Sequence, residues 1–187
     1  GKRNGTYLEI GSSDPFVNNN TALLETEFGW KGLSIERSER FAYDFKCQRN
    51  NPIICEDAMK IDYTNLFKQL CFDEQIDLLQ IDCDKFSIEV FSAIPFNEYK
   101  FGIVQFAHNY STINSQAREA SRKLLTNLGY VLVVNDVASD PRTSFEDWWA
   151  HPDLVDIPDQ MKSNSKINFV WNYMMDTSIL QEAKDFI

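Results

Sequence analysis

The feature that most constrains the fold is a regular alternation of short apolar runs with longer amphipathic stretches. Short apolar runs bounded by turn residues predict buried strands, and apolar residues three or four positions apart predict helices. Strands are predicted at 6–10, 32–35, 53–55, 76–81, 101–106 and 130–134, and helices at 21–28, 38–50, 65–70, 88–94 and 116–128. This order predicts an α/β fold with a mostly parallel central sheet and helices on both faces.

The pattern weakens after Asn135. Residues 144–149 are predicted to begin a capped helix, and residues 167–173 a last strand. The length of 187 residues and the absence of a Pro/Gly-rich linker predict one domain, 1–187. Its core spans about 3–152, and residues from about 153 to 187 form a C-terminal cap or tail.

Charge excludes some classes of partner. The chain has 18 Lys+Arg against 28 Asp+Glu, a formal net charge of −10. Partners that carry phosphates require clustered basic residues, so we expect neither nucleic acid nor an anionic membrane surface as a partner. No apolar run is long enough to span a bilayer, and the four cysteines contain no C-x-x-C pair. These features favour a cytoplasmic protein with reduced, mostly buried thiols over disulfides or a cysteine metal site.

Small and acidic residues directly follow the predicted strands, where ligands bind in open parallel sheets. Gly11 permits a tight turn and close approach of a ligand, but no G-x-G-x-x-G motif follows it, which disfavours a dinucleotide. Glu36 offers two acceptor oxygens to a ribose diol, and Asp57 beside the small Ala58 suits an adenine amino group. These positions predict a ligand of the nucleoside type.

Several segments resemble FkbM-type S-adenosylmethionine-dependent methyltransferases. They are residues 5–13, 20–21, 24–25, 29–36, 76–82, 128–130 and 146–152. The resemblance covers about 3–152 and implies a Rossmann-like class I methyltransferase fold with S-adenosylmethionine as cofactor. It also implies O-methylation of a hydroxyl group on a small-molecule acceptor, such as a sugar or another metabolite.

The same resemblance implies a role for particular residues. The methionine part of the cofactor is assigned to Glu9, Gly11 and Ser12, with Asn20 and Thr21 starting the helix beneath it. The ribose is assigned to Glu36, with Arg37 beside it in the cofactor site, and adenine to Asp57 and Ala58. Asp82 is placed near the transferred methyl group.

The chain departs from the resembled pattern at two places. Asp82-Cys-Asp84-Lys-Phe86 stands where related sequences commonly have Asp-x-Glu-Gly, and Asp14-Pro15 replaces a later glycine of the first loop. The alternative function is therefore a non-catalytic module that binds the cofactor without turnover. A nucleotide-dependent dehydrogenase is a third hypothesis, disfavoured by the missing glycines.

Methyl transfer to a hydroxyl also requires a proton acceptor. The candidate catalytic residues are Asp82, Asp84 and His108; His108 is either the base or a histidine hydrogen-bonded within its loop, and His151 is interpreted as structural. Alternatively, Asp82, Asp84, His108 and Asn109 hold Mg²⁺ or Mn²⁺, in a pattern similar to catechol-type O-methyltransferases. The acceptor pocket is expected from loops 85–97, 110–115 and 137–158. Phe106, Tyr110, Trp148 and Trp149 are either a stacking wall or core.

Overall fold

A computed structural model describes residues 2–109, 115–138 and 144–162. The strands are β1 (Thr6–Ile10), β2 (Lys31–Glu36), β3 (Ile53–Cys55), β4 (Gln75–Ile81), β5 (Lys100–Ala107), β6 (Val131–Ala138) and β7 (Ser144–Ala150). The α-helices are α1 (Ala22–Phe28), α2 (Glu39–Gln48), α3 (Tyr63–Gln69), α4 (Ser87–Ala93), α5 (Ser115–Asn127) and α6 (Asp159–Lys162). Single 3₁₀ turns occupy Ala58–Lys60 and Asp84–Phe86.

The strand and helix predictions up to residue 130 are confirmed, with boundaries displaced by a few residues. Local signals explain the ends: Ser38 caps α2 by accepting from Phe41 N, and Gly29 ends α1 with φ of 70°. The helix before Pro95 ends at Ala93, because the residue preceding a proline is disfavoured in helical conformation.

The seven strands form one sheet in the order β3-β2-β1-β4-β5-β7-β6. The pairs β3–β2, β2–β1, β1–β4 and β4–β5 are parallel, whereas β7 runs antiparallel to both β5 and β6. The strand order reverses between β1 and β4, so a crevice opens there at the carboxyl ends of the parallel strands.

Helices cover both faces of the sheet, as predicted. On one face, Phe67 of α3, Phe91 of α4 and Leu125 of α5 pack with strand residues such as Leu8 and Val104 in the main core. The opposite face has separate apolar clusters that hold α1, α2 and α6: Leu24 with Tyr7 and Leu78, Phe45 with Ile53, and Met161 with Val134 and Val137.

The predicted helix at 144–149 is wrong, because this segment is β7. It pairs with β5 and β6, and its side chains alternate between two buried faces: Trp149 enters the main core and Trp148 packs on the other face. Polar and apolar residues occur on both faces of this segment, so its sequence lacks the period that separates a strand from a helix, and pairing decided the outcome. The predicted strand at 167–173 and the tail after Lys162 lie outside the described residues.

The four cysteines are free, as expected, but the prediction that they are mostly buried is wrong. Cys47, Cys55 and Cys71 are exposed and only Cys83 is half-buried. Cys47 lies on the solvent side of α2, Cys55 is the last residue of β3, and Cys71 follows α3. None of the described helices has the length and apolar content that crossing a bilayer requires.

Candidate cofactor-binding site

A cavity of about 350 Å³ opens at the carboxyl ends of β1, β2, β3 and β4. Its volume falls within the range of small-molecule sites. The residues of the sequence-based site that line it are Gly11, Glu36, Arg37, Asp57, Ala58, Asp82 and Asp84. The fold therefore brings together residues from four separate strand ends.

Gly11 allows the loop after β1 to pass close to the end of β4. Its φ is 85°, and a Cβ atom built on it would lie 1.9 Å from the carbonyl oxygen of Asp82. Both the left-handed conformation and this approach require glycine. The narrow passage belongs to the crevice between β1 and β4, where the strand order reverses.

Glu36 is held in place by two loops at once. One carboxylate oxygen accepts a hydrogen bond from Ser13 N at 2.9 Å, and the other accepts from Ser38 N at 2.7 Å. A carboxylate has about four acceptor positions, so two backbone donors leave capacity for two more. The side chain is buried yet lines the cavity, which fits an acceptor for a pair of neighbouring hydroxyl groups.

Asp57 and Ala58 start the 3₁₀ turn at the far end of the cavity. The Asp57 carboxylate accepts from Met59 N at 3.0 Å, and the Tyr63 hydroxyl donates to the carbonyl oxygen of Ala58 at 3.0 Å. Apolar side chains also line the cavity: Ile35, Phe41, Met59, Phe86 and Val90. A polar edge beside an apolar wall suits a flat heteroaromatic ring.

Asp82 lies at the opposite end of the cavity. Burial by the surrounding protein raises its pKa although the side chain opens to the cavity, and the charge of Asp84 raises the pKa further. A hydrogen bond from the Asn109 side chain lowers the pKa of Asp82 and partly offsets these two effects. Asp82 is therefore a carboxyl group whose charged form gains from a cation nearby.

The charge of the cavity lining is predominantly negative. Five carboxylates and one guanidinium line it: Glu36, Glu56, Asp57, Asp82, Asp84 and Arg37. Such a lining repels a pyrophosphate and attracts a cationic ligand.

Four residues assigned to the cofactor do not line the cavity: Glu9, Ser12, Asn20 and Thr21. Glu9 is buried, accepts a hydrogen bond from the Ser34 hydroxyl at 2.7 Å, and has a pKa raised by burial. Ser12 and Thr21 are also buried. Successive strand residues face opposite sides of a sheet, so Glu9 points toward the α1 side, beneath the loop that carries Gly11.

His108 lies in a buried group of ionic side chains at the ends of β5, β6 and β7. Its Nε2 is 3.5 Å from Oδ1 of Asp147 and 4.0 Å from Oδ1 of Asp136. Arg122 pairs with Asp147 at 2.7 Å, and Arg118 with Asp136 at 2.8 Å. His108 does not line the cavity, so this geometry favours the structural interpretation of the residue.

The predicted metal grouping is not formed. Among the described ranges, the group of acidic and histidine side chains close enough to share an ion is His108, Asp136 and Asp147, without Asp82 or Asp84. Arg118 and Arg122 already supply positive charge to both carboxylates of that group. A divalent ion would have to compete with two guanidinium groups there, so the donor set does not fit a metal centre.

Glu146 is a buried acid near Asp82 that the sequence reasoning did not single out. It is 5% exposed and accepts a hydrogen bond from Trp148 Nε1. Burial raises its pKa to about 7; the charge of Asp82 also raises it, while a hydrogen bond from the Asn20 side chain lowers it. Glu146 thus contacts the exposed Asn20, one of the predicted cofactor residues, and lies close to Asp82. Only the pairing of β7 with β5 could reveal this position.

Comparisons with known proteins support the fold. No protein-family model matches the chain, and no curated protein matches its sequence. A protein assigned as an rRNA methylase from Clostridium thermocellum is similar in structure at 11% identity, with a TM-score of 0.54, over 80% of this chain and 87% of that one. Aeropyrum pernix fibrillarin, solved with natively bound S-adenosyl-L-methionine, has 17% identity and a TM-score of 0.53, over 80% and 67% of the two chains.

A protein assigned as a caffeoyl-CoA O-methyltransferase from Staphylococcus aureus is similar at 15% identity, with a TM-score of 0.54, over 79% of this chain and 76% of that one. These structures share the mostly parallel sheet and its flanking helices with this chain. The protein has the Rossmann-like fold of the class I S-adenosylmethionine-dependent methyltransferases.

Proposed function

We propose that the protein is an S-adenosylmethionine-dependent methyltransferase of the FkbM type, acting on a hydroxyl group of a small metabolite such as a sugar. The observation that carries this proposal is the cavity itself. It combines an apolar wall, a diol acceptor at Glu36 and an acidic end at Asp82. All three lie in one crevice of a Rossmann-like class I methyltransferase fold.

Each part of the cavity matches one part of the cofactor. The apolar wall with Asp57 and Ala58 would hold the adenine, and Glu36 would accept from the ribose hydroxyls. The acidic end with Asp82 and Asp84 would face the cationic part, and Gly11 leaves room for the methionine chain. S-adenosylmethionine, when bound, supplies a methyl group activated by its positively charged sulfur.

Transfer to a hydroxyl group requires a residue that accepts the hydroxyl proton. Asp82 is the best-placed acceptor, because it lines the cavity and burial raises its pKa, which makes the carboxylate a stronger base. Asn109 donates to this carboxyl group and orients it. His108 is directed into the buried ionic group instead.

A small acceptor agrees better with the charge than a nucleic acid does. Some structural neighbours are described as methylating RNA or DNA, which is said of those proteins. Here the formal charge is −10 and the lining of the cavity is acidic. Nucleic-acid phosphates require the opposite charge.

Calorimetry with S-adenosylmethionine and S-adenosylhomocysteine tests the proposal. Wild-type protein is expected to bind both ligands. Glu36→Ala is expected to weaken the affinity for each about 30-fold or more, because it removes the diol acceptor and the hydrogen bonds that Glu36 accepts from Ser13 N and Ser38 N. Glu39→Ala is the matched control: it removes the same charge from an exposed position three residues along the chain. Failure of the wild-type protein to bind either ligand would overturn the proposal.

The alternative is a module that binds the cofactor without turnover. It is favoured by Asp84, a non-glycine residue with φ of 53° in the segment that departs from the resembled pattern. Incubation with S-adenosylmethionine and a panel of sugar, phenol and lipid hydroxyl acceptors separates the two functions. Cofactor binding without methyl transfer to any acceptor favours the module.

A further inference from the structure

Arg49 is a buried cation on the far side of the loop that lines the cavity. It follows α2, and its side chain is 0% exposed. Its guanidinium is neutralised by Glu25 at 2.8 Å and lies 4.6 Å from the centre of the Phe45 ring. A guanidinium this deeply buried is stable only when its donors are satisfied.

Three of the acceptors of Arg49 belong to the loop between β1 and α1. Nη1 donates to the carbonyl oxygen of Pro15 at 2.8 Å and to Oδ1 of Asn19 at 3.1 Å, and Nη2 donates to the Thr21 hydroxyl at 3.1 Å. One side chain therefore fixes three points of a single loop. No local sequence signal connects Arg49 with that loop.

Asn19 extends this connection to Ser12, which lies between the cavity-lining residues Gly11 and Ser13. Its Nδ2 donates to the carbonyl oxygen of Ser12 at 3.0 Å, while its Oδ1 also accepts from Ala22 N at 2.8 Å. On the other side of the loop, Ser13 N donates to Glu36. The loop is thus held from behind through Arg49 and Asn19, and from the cavity through Glu36.

The loop needs such support because of its sequence. Ser13 and Asn18 both have left-handed backbone conformations, with φ of 53° and 54°, and neither is glycine. Non-glycine residues in this region are strained, and strain of this kind persists only where the surrounding structure imposes it. The bond from Ser13 N to Glu36 supplies part of that constraint, and the bonds of Arg49 and Asn19 to the neighbouring Pro15 and Ser12 supply the rest.

We propose that Arg49 is a positioning residue for cofactor binding: through Asn19 it holds the β1–α1 loop in the conformation that receives the amino-acid part of S-adenosylmethionine. This inference rests on the proposed function. A loop that is ordered before binding loses less entropy on binding, so its anchor contributes to affinity as well as to stability. Arg49 itself does not line the cavity.

The test compares two ligands on the same variants by calorimetry. S-adenosylhomocysteine has the amino-acid portion, and 5′-methylthioadenosine has the adenosine and sulfur without it. Arg49→Met and the milder Asn19→Ala, which leaves no buried charge unpaired, are expected to weaken S-adenosylhomocysteine about tenfold or more and 5′-methylthioadenosine less than about threefold. Leu125→Ala, a core truncation in α5, is the stability control and is expected to leave the ratio of the two affinities unchanged.

Rescue provides a second readout. Ser13→Gly removes the strain at the left-handed position while retaining the N–H that donates to Glu36. Added to Arg49→Met, it is expected to restore several-fold of the lost affinity for S-adenosylhomocysteine. A role confined to folding stability predicts no such rescue.

The outcomes are distinct. If the Arg49 and Asn19 variants bind both ligands with the same affinity ratio as the wild-type protein, the positioning role is overturned and the proposed function stays intact. Binding of neither ligand by the wild-type protein overturns the proposed function, and this inference with it.

Discussion

Two neighbouring acids on β7, Glu146 and Asp147, lie on opposite faces of the sheet, and their pKa values are shifted in opposite directions. Both are buried, at 5% and 0% exposure. The pKa of Glu146 is raised by burial to about 7. Burial also raises the pKa of Asp147, but hydrogen bonds from His108 and Arg122 outweigh it and hold the value at about 2.

The difference comes from what each face of the sheet places opposite the acid. Asp147 accepts two hydrogen bonds from Arg122, at 2.7 and 2.9 Å, and one from Asp136 N at 2.8 Å. Glu146 has Trp148 and Asn20 as donors and Asp82 as a repelling neighbour, and no ion pair among the described side chains includes it. Asp147 therefore belongs to a structural network of ion pairs on one face of the sheet. Glu146, on the other face, is a carboxyl group near Asp82 that is able to titrate.

The largest effect is expected from Asp147→Ala. The change removes the buried carboxylate shared by Arg122 and His108 and leaves both with only the partly exposed Asp136, so the unfolding free energy at pH 7 should fall by roughly 3 kcal/mol. Urea denaturation measures it. Asp153→Ala is the control, since Asp153 pairs with Lys100 at an exposed site and should cost less than about 1 kcal/mol. Similar small losses in both variants would contradict the network.

Glu146→Gln should change the dependence of stability on pH. The folded state keeps this carboxyl protonated up to about pH 7, whereas an unfolded glutamate loses its proton near pH 4.5. The folded state therefore binds more protons between these values, and wild-type stability falls as the pH rises through that window, by about 3 kcal/mol at most.

Glutamine has no proton to lose, so the variant should gain stability relative to wild type as the pH rises from 4 to 8. Urea denaturation at intervals of one pH unit measures the difference between the two proteins. Glu39→Gln, at an exposed position, is the control and should follow the wild-type curve. Parallel curves for wild type and Glu146→Gln would contradict this prediction, because they would mean that folding does not raise the pKa of Glu146.

The smallest effect is expected from divalent ions. Arg118 and Arg122 neutralise the acids around His108, so millimolar Mg²⁺, Mn²⁺ or excess chelator should shift the melting temperature by less than about 1 °C. Thermal unfolding monitored by circular dichroism measures the shift. A rise of several degrees with Mn²⁺ that disappears in Asp136→Asn would instead establish a metal site in the ionic network.

Much of the fold and part of the site could be predicted from sequence. Strands β1 to β5 have local apolar signals, and residues just after their ends, such as Gly11, Glu36 and Asp82, must share one edge of a parallel sheet. The strand at 144–150 could not be identified, because its burial on both faces obscures its period. Glu9 does not line the cavity, because strand alternation turns its side chain away from the edge that Gly11 reaches.

The sequence by itself determined the alternation of elements, the predominance of acidic residues and which of them follow strands. Only the tertiary structure decided the antiparallel insertion of β7, the anchoring of the β1–α1 loop by Arg49, and the different partners of Glu146 and Asp147. Hydrophobic periodicity is local and reports which face of an element is buried. The charge state of a buried acid depends on which distant side chain the fold places within a few ångströms of it, and local sequence carries no information about that distance.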